Sequence, residues 1–199
     1  MSSDETPQCT VPVVVLTHNY IWGIFCSCES KFLVSGRKKL RLHGGLMKGK
    51  FFDDFNVGDK FVTSRRTLTE YDLETFCNLV WFNLSMFFDD IYAKEEMPYR
   101  SRVFPGPLII PFAVGLFLKL GIYEKTVIAL LGIQDMKFKT PLRIGDTMQV
   151  DVEILEKKDS KANFDRGVLI VQFIVNKVLS MADKEFIMSF EMAHMLKKR

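Results

Sequence analysis

The sequence predicts an α+β domain in which a long antiparallel sheet wraps around one apolar helix. Residues 108–122 carry a single charge, that of Lys119, and are too few to cross a bilayer, so they predict a core helix. After Lys125 the apolar residues follow the two-residue period of strands, whereas residues 70–80 follow the period of an amphipathic helix.

The composition is that of an ordinary globular protein. The chain has 199 residues, of which 48% are hydrophobic, and its formal net charge is +3. This length favours one domain with a sizeable core. A charge so near balance gives no electrostatic reason to expect a nucleic-acid partner.

The N-terminal part of the chain differs from the remainder. The run Val11–Cys28 is apolar, but Asp4 and Glu5 precede it where a signal peptide requires positive charge. The run is also shorter than a spanning helix, so a membrane anchor is not favoured. We expect residues 1–46 to be a poorly ordered extension outside the core, or sequence upstream of the true start, and residues 47–199 to form the folded domain.

The cysteines indicate neither a metal site nor a disulfide framework. Of the four, only Cys26 and Cys28 are close, in a C-x-C spacing with no second pair. Cys77 falls on the apolar face of a predicted helix, where a free thiol packs as a small hydrophobe. We therefore expect no metal and a reducing compartment, the cytoplasm.

The elements before the apolar helix are predicted from local signals. A turn at residues 56–59 precedes a strand over residues 60–68. Thr69 and Asp72 have the spacing of a capping box and start the helix over residues 70–80. Its apolar face consists of Leu73, Phe76, Cys77 and Val80.

Two further helix starts follow. Asp89 and Asp90 favour a short helical turn through Tyr92, because acidic residues are stabilised at a helix N-terminus. Pro107, directly after Gly106, suits the first turn of the apolar helix, where the missing N–H costs nothing. Beyond it, residues 148–154 and 186–192 alternate and residues 167–178 form a nearly continuous β-branched run, which predicts three strands joined by hairpins.

Several stretches in this order resemble one known family. They are FFDDFNVGDKF, TEYDLETFCNL, FPGPLI and PLRIGDT, and the resemblance extends from Lys50 to Leu196. They are similar to the MaoC-like (R)-specific enoyl-CoA hydratases and dehydratases of the hotdog fold. The resemblance implies binding of acyl-CoA thioesters, with no cofactor beyond the coenzyme A of the substrate. It also implies a homodimer, or a heterodimer with a related subunit, with the clefts between protomers.

The resemblance implies two catalytic devices. Family members add water across a 2-enoyl thioester with an Asp and a His in a D-x-N-P-x-H motif. They stabilise charge on the thioester oxygen with N–H groups where a glycine opens the central helix. Gly106 and Pro107 match the second device as substrate-binding residues, although a simple turn glycine is an alternative.

The first device is altered. The motif here reads WFNLSM: Asn83 matches, Trp81 stands at the acid position and Met86 at the histidine position. Neither Trp nor Met carries a proton at neutral pH. Asp89 and Asp90 are the remaining candidates for a catalytic carboxylate, although a helix-cap or surface role is an alternative. His194, on the last predicted strand, is the domain's only histidine.

Three functions remain open from the sequence. The chain is a hydratase or dehydratase homologue that binds acyl thioesters, a non-catalytic subunit of a hetero-oligomeric hydratase, or a thioesterase in which Asp89 or Asp90 activates water. An acyl pocket would be lined by the aromatic cluster, for which core or dimer packing is the alternative: Trp81, Phe82, Met86, Phe87 and Phe88. Five cations are candidates for contacts with the phosphates of coenzyme A: Arg65, Arg66, Lys137, Lys139 and Arg143.

Overall fold

The computed structural model describes residues 49–160 and 164–199. The predicted extension, residues 1–46, and the predicted start of the folded domain at residue 47 lie outside these ranges. Within the described ranges, each helix is too short or too polar to cross a lipid bilayer.

Strands form one antiparallel sheet. In chain order they are β1 (Lys60–Val62), β2 (Arg66–Thr67), β3 (Val127–Phe138), β4 (Thr147–Asp159), β5 (Arg166–Val178) and β6 (Lys184–Lys197). Across the sheet the order is β1-β4-β5-β6-β3, and β2 also pairs with β4. This architecture confirms the predicted α+β class with a long antiparallel sheet.

The predicted alternation matches the inner face of the sheet. The apolar residues of β4 are all buried: Met148, Val150, Val152 and Ile154. The residues between them are less buried or form hydrogen bonds to neighbouring segments of the chain. In β6 the alternation changes phase at Ile187, which the pairing with β5 skips as a bulge between Met188 and Phe186. One extra residue shifts the side-chain period, so Ile187 and Met188 are both buried.

The strand predicted over residues 60–68 is instead two short strands, β1 and β2. Between them the Thr63 hydroxyl accepts a hydrogen bond from the Val150 N–H at 3.0 Å. The Gln149 side-chain amide donates to the Thr63 carbonyl at 2.8 Å. Side-chain bonds of this kind compete with the regular ladder, which explains the interruption.

Helices α1 (Glu70–Val80), α2 (Ser85–Phe88) and α3 (Asp90–Glu95) precede the central helix α4 (Gly106–Leu118). At the start of α1, Thr69 and Asp72 form the predicted capping box, with each side chain bonded to the backbone of the other. The short helix predicted from Asp89 is also confirmed as α3.

The central helix is shorter than predicted. It ends at Leu118 rather than Ile122, because Lys119 is the C-cap and Gly121 takes a left-handed conformation with φ of 70°. Pro111 is its sixth residue, beyond the first turn, and supplies no N–H to the helix. Leu108, Ala113 and Phe117 are among the α4 residues buried in the core.

Strand β3 forms one edge of the sheet, and most of its residues are exposed. Eleven of its twelve residues are exposed, on both faces of the strand. They include the large apolar side chains of Ile128, Leu130, Leu131 and Ile133. An exposed apolar edge of this length is typical of a strand that another protein surface covers.

Candidate functional site

A cleft of about 360 Å³ lies where α2, the start of α4 and the end of β3 meet. Part of its wall consists of buried side chains, those of Phe87, Val103, Phe104, Pro105 and Ile109. The remaining lining is half-buried or exposed and includes Met86, Tyr99, Gly106, Phe138, Lys139 and Thr140. Met86 and Gly106, predicted to share a site, are thus brought together.

The end of α1 directs Met86 and Phe87 to the cleft. Trp81 caps α1 in a left-handed conformation with φ of 62°, which reverses the chain. The Phe82 N–H then donates to the Cys77 carbonyl at 2.9 Å. The Phe82 ring stacks on Phe87, with centroids 6.4 Å apart, so Phe87 is held in the core and its neighbour Met86 lies at the cleft.

The structure does not bring Trp81 and Asn83 to the cleft, contrary to the prediction. Trp81 is 85% exposed. Asn83 and Phe88 line a separate open hollow with Leu84 and Asp89. The physical reason is the reversal at Trp81, which turns this side chain toward solvent before the chain reaches α2.

Asp89 and Asp90 both have structural partners. The Asp89 carboxylate is the N-cap of α3 and accepts hydrogen bonds from the N–H groups of Ile91 and Tyr92, at 2.9 and 3.0 Å. The Asp90 carboxylate accepts a hydrogen bond from the Arg102 guanidinium at 2.7 Å. Neither is among the residues that line the cleft.

Arg102 is the centre of an ion network that the sequence analysis missed. Its side chain is only 8% exposed, and it contacts Glu70 and Glu74 of α1 as well as Asp90 of α3. The hydrogen bond to Glu70, followed by that to Asp90, raises the pKa of the guanidinium further. The network fixes α1 and α3 against the segment that leads into α4.

Gly106 is the first residue of α4 and lies in the cleft. Pro107 has no N–H, and the Leu108 N–H donates to the Pro105 carbonyl at 2.9 Å. In the part of the chain that the structure describes, the Gly106 N–H has no acceptor, as is usual at a helix start. A Cβ on Gly106 would lie 2.8 Å from Cε1 of Phe138, so the close approach of this ring also requires glycine.

Of the five predicted cations, two lie at or beside the cleft. Lys139 lines it, and Arg143 donates to the Tyr99 carbonyl at 3.2 Å. Lys137 and Lys139 form no ion pair with any described residue. Arg66 is neutralised instead, because its guanidinium pairs with Asp72 and lies over the Phe112 ring, 4.6 Å from its centroid.

His194 lies in the core rather than at the cleft. Its ring contacts Phe173 and Tyr123, and its Nδ1 is 3.4 Å from the Tyr123 hydroxyl. Burial lowers the pKa of His194 to about 4, so the imidazole is neutral at pH 7. No cluster of metal-ligating side chains occurs among residues 49–160 and 164–199.

Comparison with known proteins shows which proteins this chain is similar to. No protein-family model matches the chain. Over 101 residues, 51% of its length, the chain is 38% identical to Protein MaoC of Klebsiella aerogenes, of which these residues cover only 29%. The chain is also 26% identical to the monoamine oxidase regulatory protein of Archaeoglobus fulgidus, with a TM-score of 0.67 over 76% of this chain and 96% of that one.

The described residues have the hotdog fold, and the chain is similar in sequence to MaoC-like proteins. The MaoC-like dehydratase of Rhodospirillum rubrum has the same fold, with a TM-score of 0.66, 19% identity, and coverage of 76% of this chain and 99% of that one. So has the HadBC (3R-hydroxyacyl-ACP dehydratase) complex of Mycobacterium tuberculosis, with a TM-score of 0.58, 16% identity, and coverage of 70% and 96%.

The lining of the cleft combines apolar side chains with a few polar ones. Part of its wall is apolar, and the N–H of Gly106 beside it has no acceptor among the described residues. The ionisable side chains in its lining are those of Tyr99 and Lys139, and neither is a carboxylate or an imidazole. A cleft of this kind can hold an apolar group next to a hydrogen-bond donor.

Proposed function

We propose that this MaoC-like domain binds acyl-CoA thioesters in the cleft beside Gly106 and does not hydrate them. One observation carries the proposal: Met86, at the histidine position of the family motif, lies in the cleft beside Gly106. The site is therefore retained as a cavity, while the group that would move a proton is replaced by a thioether.

The lining supports an acyl ligand. Phe87, Phe104 and Ile109 offer an apolar wall to a hydrocarbon chain. The free N–H of Gly106, at the positive end of α4, is suited to donate a hydrogen bond to the thioester oxygen. Lys139 lines this cleft and Arg143 lies beside it, and both are suited to the phosphates of coenzyme A, because no described carboxylate neutralises either side chain.

Thioester hydrolysis receives less support. It would require Asp89 or Asp90 as the base that activates water. Asp89 is committed to two backbone N–H groups of α3, and Asp90 to Arg102. These hydrogen bonds hold both carboxylates in place, and neither lines the cleft, so we assign both residues structural roles.

A second hotdog subunit is the partner that fits β3. Because both faces of this edge strand are apolar and exposed, a partner must supply a strand and a covering layer together. A second copy of this chain or a related hotdog subunit has both. The HadBC neighbour, named as a complex, supports a hetero-oligomer with a catalytically complete relative as the alternative to a homodimer.

Two glycines of α4 allow a matched test of the binding site. Gly106→Val places methyl groups against the cleft, whereas a Cβ at Gly115 of the same helix meets nothing within 4 Å. We expect Gly106→Val to abolish the heat of butyryl-CoA binding in calorimetry and Gly115→Val to leave it unchanged. Equal affinities for the two variants would refute the site.

A further inference from the structure

Four charged residues lie at the two ends of the apolar part of β3, which is residues 126–134 and contains no charge. Lys125 and Asp135 are the inner charges, directly next to this stretch, and Glu124 and Lys137 are the outer charges. All four residues are exposed. None of them forms an ion pair with any residue that the structure describes.

The order of these charges distinguishes the two directions in which β3 could pair with a second copy of itself. Parallel pairing in register would place each charge beside its own copy, and like charges that face each other across a sheet are destabilising. Antiparallel pairing instead places the inner Lys125 beside the partner's Asp135, and the outer Glu124 beside the partner's Lys137. Opposite charges then meet at both ends of the paired strands.

We propose that a second copy of this chain pairs with β3 in the antiparallel direction, with the two-fold axis between Leu130 and Leu131. This inference rests on the proposed function, which makes β3 an interface, and it names the partner. Both leucines lie at the middle of the charge pattern and are 50% exposed, so the pairing buries apolar surface at the axis. A two-fold axis turns one surface onto itself, so a homodimer requires a self-complementary order of charges and a heterodimer does not.

The same pairing places part of the partner beside the cleft. Strand β3 ends at Phe138, which lines the cleft together with Lys139 and is exposed in a single subunit. The turn that contains the partner's Glu124 lies at this end of the strand and borders the cleft. Because Lys137 is then engaged in the interface, Lys139 is the lysine of this segment that remains for the phosphates of coenzyme A.

Charge reversal tests the pairing, because a dimer that is weakened in two single variants returns when the two are mixed. Glu124→Lys brings two lysines together at each outer contact, and Lys137→Glu brings two glutamates together. We expect either variant to raise the dimer dissociation constant about tenfold to a hundredfold in sedimentation equilibrium. An equimolar mixture restores opposite charges at both outer contacts of the mixed dimer, so it should associate as the wild type does.

Two further variants complete the test. Glu96→Lys is the matched control, because Glu96 is exposed at the end of α3 and forms no ion pair with a described residue, and it should dimerise normally. The double variant Glu124→Lys with Lys137→Glu carries both reversals in one chain, so it should dimerise as the wild type does. It serves if one of the single variants is poorly folded.

The outcomes separate this inference from the proposed function of the cleft. A wild-type monomer, or single variants that dimerise normally, would overturn the pairing. So would a mixture that fails to associate, or a folded double variant that stays monomeric. Calorimetry with butyryl-CoA on the wild-type protein judges the cleft separately: a dimer that binds none would overturn the proposed binding and leave the pairing intact.

Discussion

Trp81 combines two unfavourable features at one residue. It is a large apolar side chain in solvent, and its backbone is left-handed, a conformation that costs a non-glycine residue roughly 1 kcal/mol or more. Its N–H still donates to the Cys77 carbonyl. The chain reversal that ends α1 is needed to bring Met86 to the cleft. The strain arises because a residue with a Cβ occupies a left-handed position, and not from the chain reversal itself.

We therefore expect Trp81→Gly to stabilise the domain. Glycine adopts the left-handed cap without strain, and little burial is lost. Trp81→Ala is the matched control, because it removes the same ring but keeps the Cβ. Urea unfolding should show Trp81→Gly about 1 kcal/mol more stable than Trp81→Ala, and equal midpoints would refute the strain.

His194 makes stability depend on pH. Its folded pKa of about 4 lies below the ordinary value of 6.5, so the unfolded chain takes up a proton first as pH falls. The stability due to the neutral imidazole is complete above pH 6.5 and is lost between 6.5 and 4. The loss amounts to about 3 kcal/mol at most.

The measurement is urea unfolding at pH 7.5, 5.5 and 4.5 for the wild type and His194→Gln. Glutamine has no proton to gain, so the difference between the two proteins should shrink as pH falls. A difference that stays constant over this range would mean that His194 is not held neutral by burial.

At the scale of elements, α3 depends on Arg102. The buried apolar residues of the segment from α2 to α3 are Phe87 and Ala93. Because so little of this segment is buried, ionic contacts contribute much of the free energy that holds α3 to the domain. Replacing one partner of a buried ion network leaves the others without compensation. Here the carboxylates of Glu70, Glu74 and Asp90 are about half exposed or more and stay hydrated, which limits the cost.

We expect Arg102→Met to destabilise the domain by about 2 kcal/mol and to speed hydrogen exchange of the α3 amides. Arg65→Met, at an exposed arginine with no carboxylate partner in the described ranges, should do neither. Unchanged exchange in α3 of the Arg102 variant would show that packing alone holds this helix.

Helices and strands with a clear hydrophobic period could be predicted from the sequence, whereas the contacts between them could not. The capping box of α1 and the alternation in β4 depend on neighbouring residues, and both are confirmed. Arg102 lies 32 residues from Glu70, so no local pattern contains their contact. Trp81 and Met86 share one motif, yet only Met86 reaches the cleft, because the backbone reversal at Trp81 depends on tertiary context.

At the scale of the whole molecule, the two edges of the sheet differ. On one edge β1 is only three residues long, whereas on the other β3 has twelve, with apolar side chains on both faces. Short edge strands resist pairing with other chains, and long apolar ones invite it. The assembly proposed above therefore uses β3.

Two exposed residues, one on each edge, test the assembly. Leu130 of β3 is 50% exposed and Val62 of β1 is 56% exposed, so an arginine fits either position in a single subunit. Sedimentation equilibrium should give a dimer for the wild type and Val62→Arg and a monomer for Leu130→Arg. A wild-type monomer would exclude the homodimer, and a Leu130→Arg dimer would exclude β3 as its interface.

The central claim is that the cleft binds an acyl thioester and leaves it unchanged. Its most direct test is to titrate the purified full chain with crotonyl-CoA in a calorimeter and to assay the same samples for 3-hydroxybutyryl-CoA. With Met86 at the histidine position, the proposal predicts saturable binding with product formed no faster than in protein-free buffer. An acid–base pair contributes on the order of 10² to 10⁴ in rate, so turnover above background would reveal a working pair and contradict the claim, as would the absence of binding.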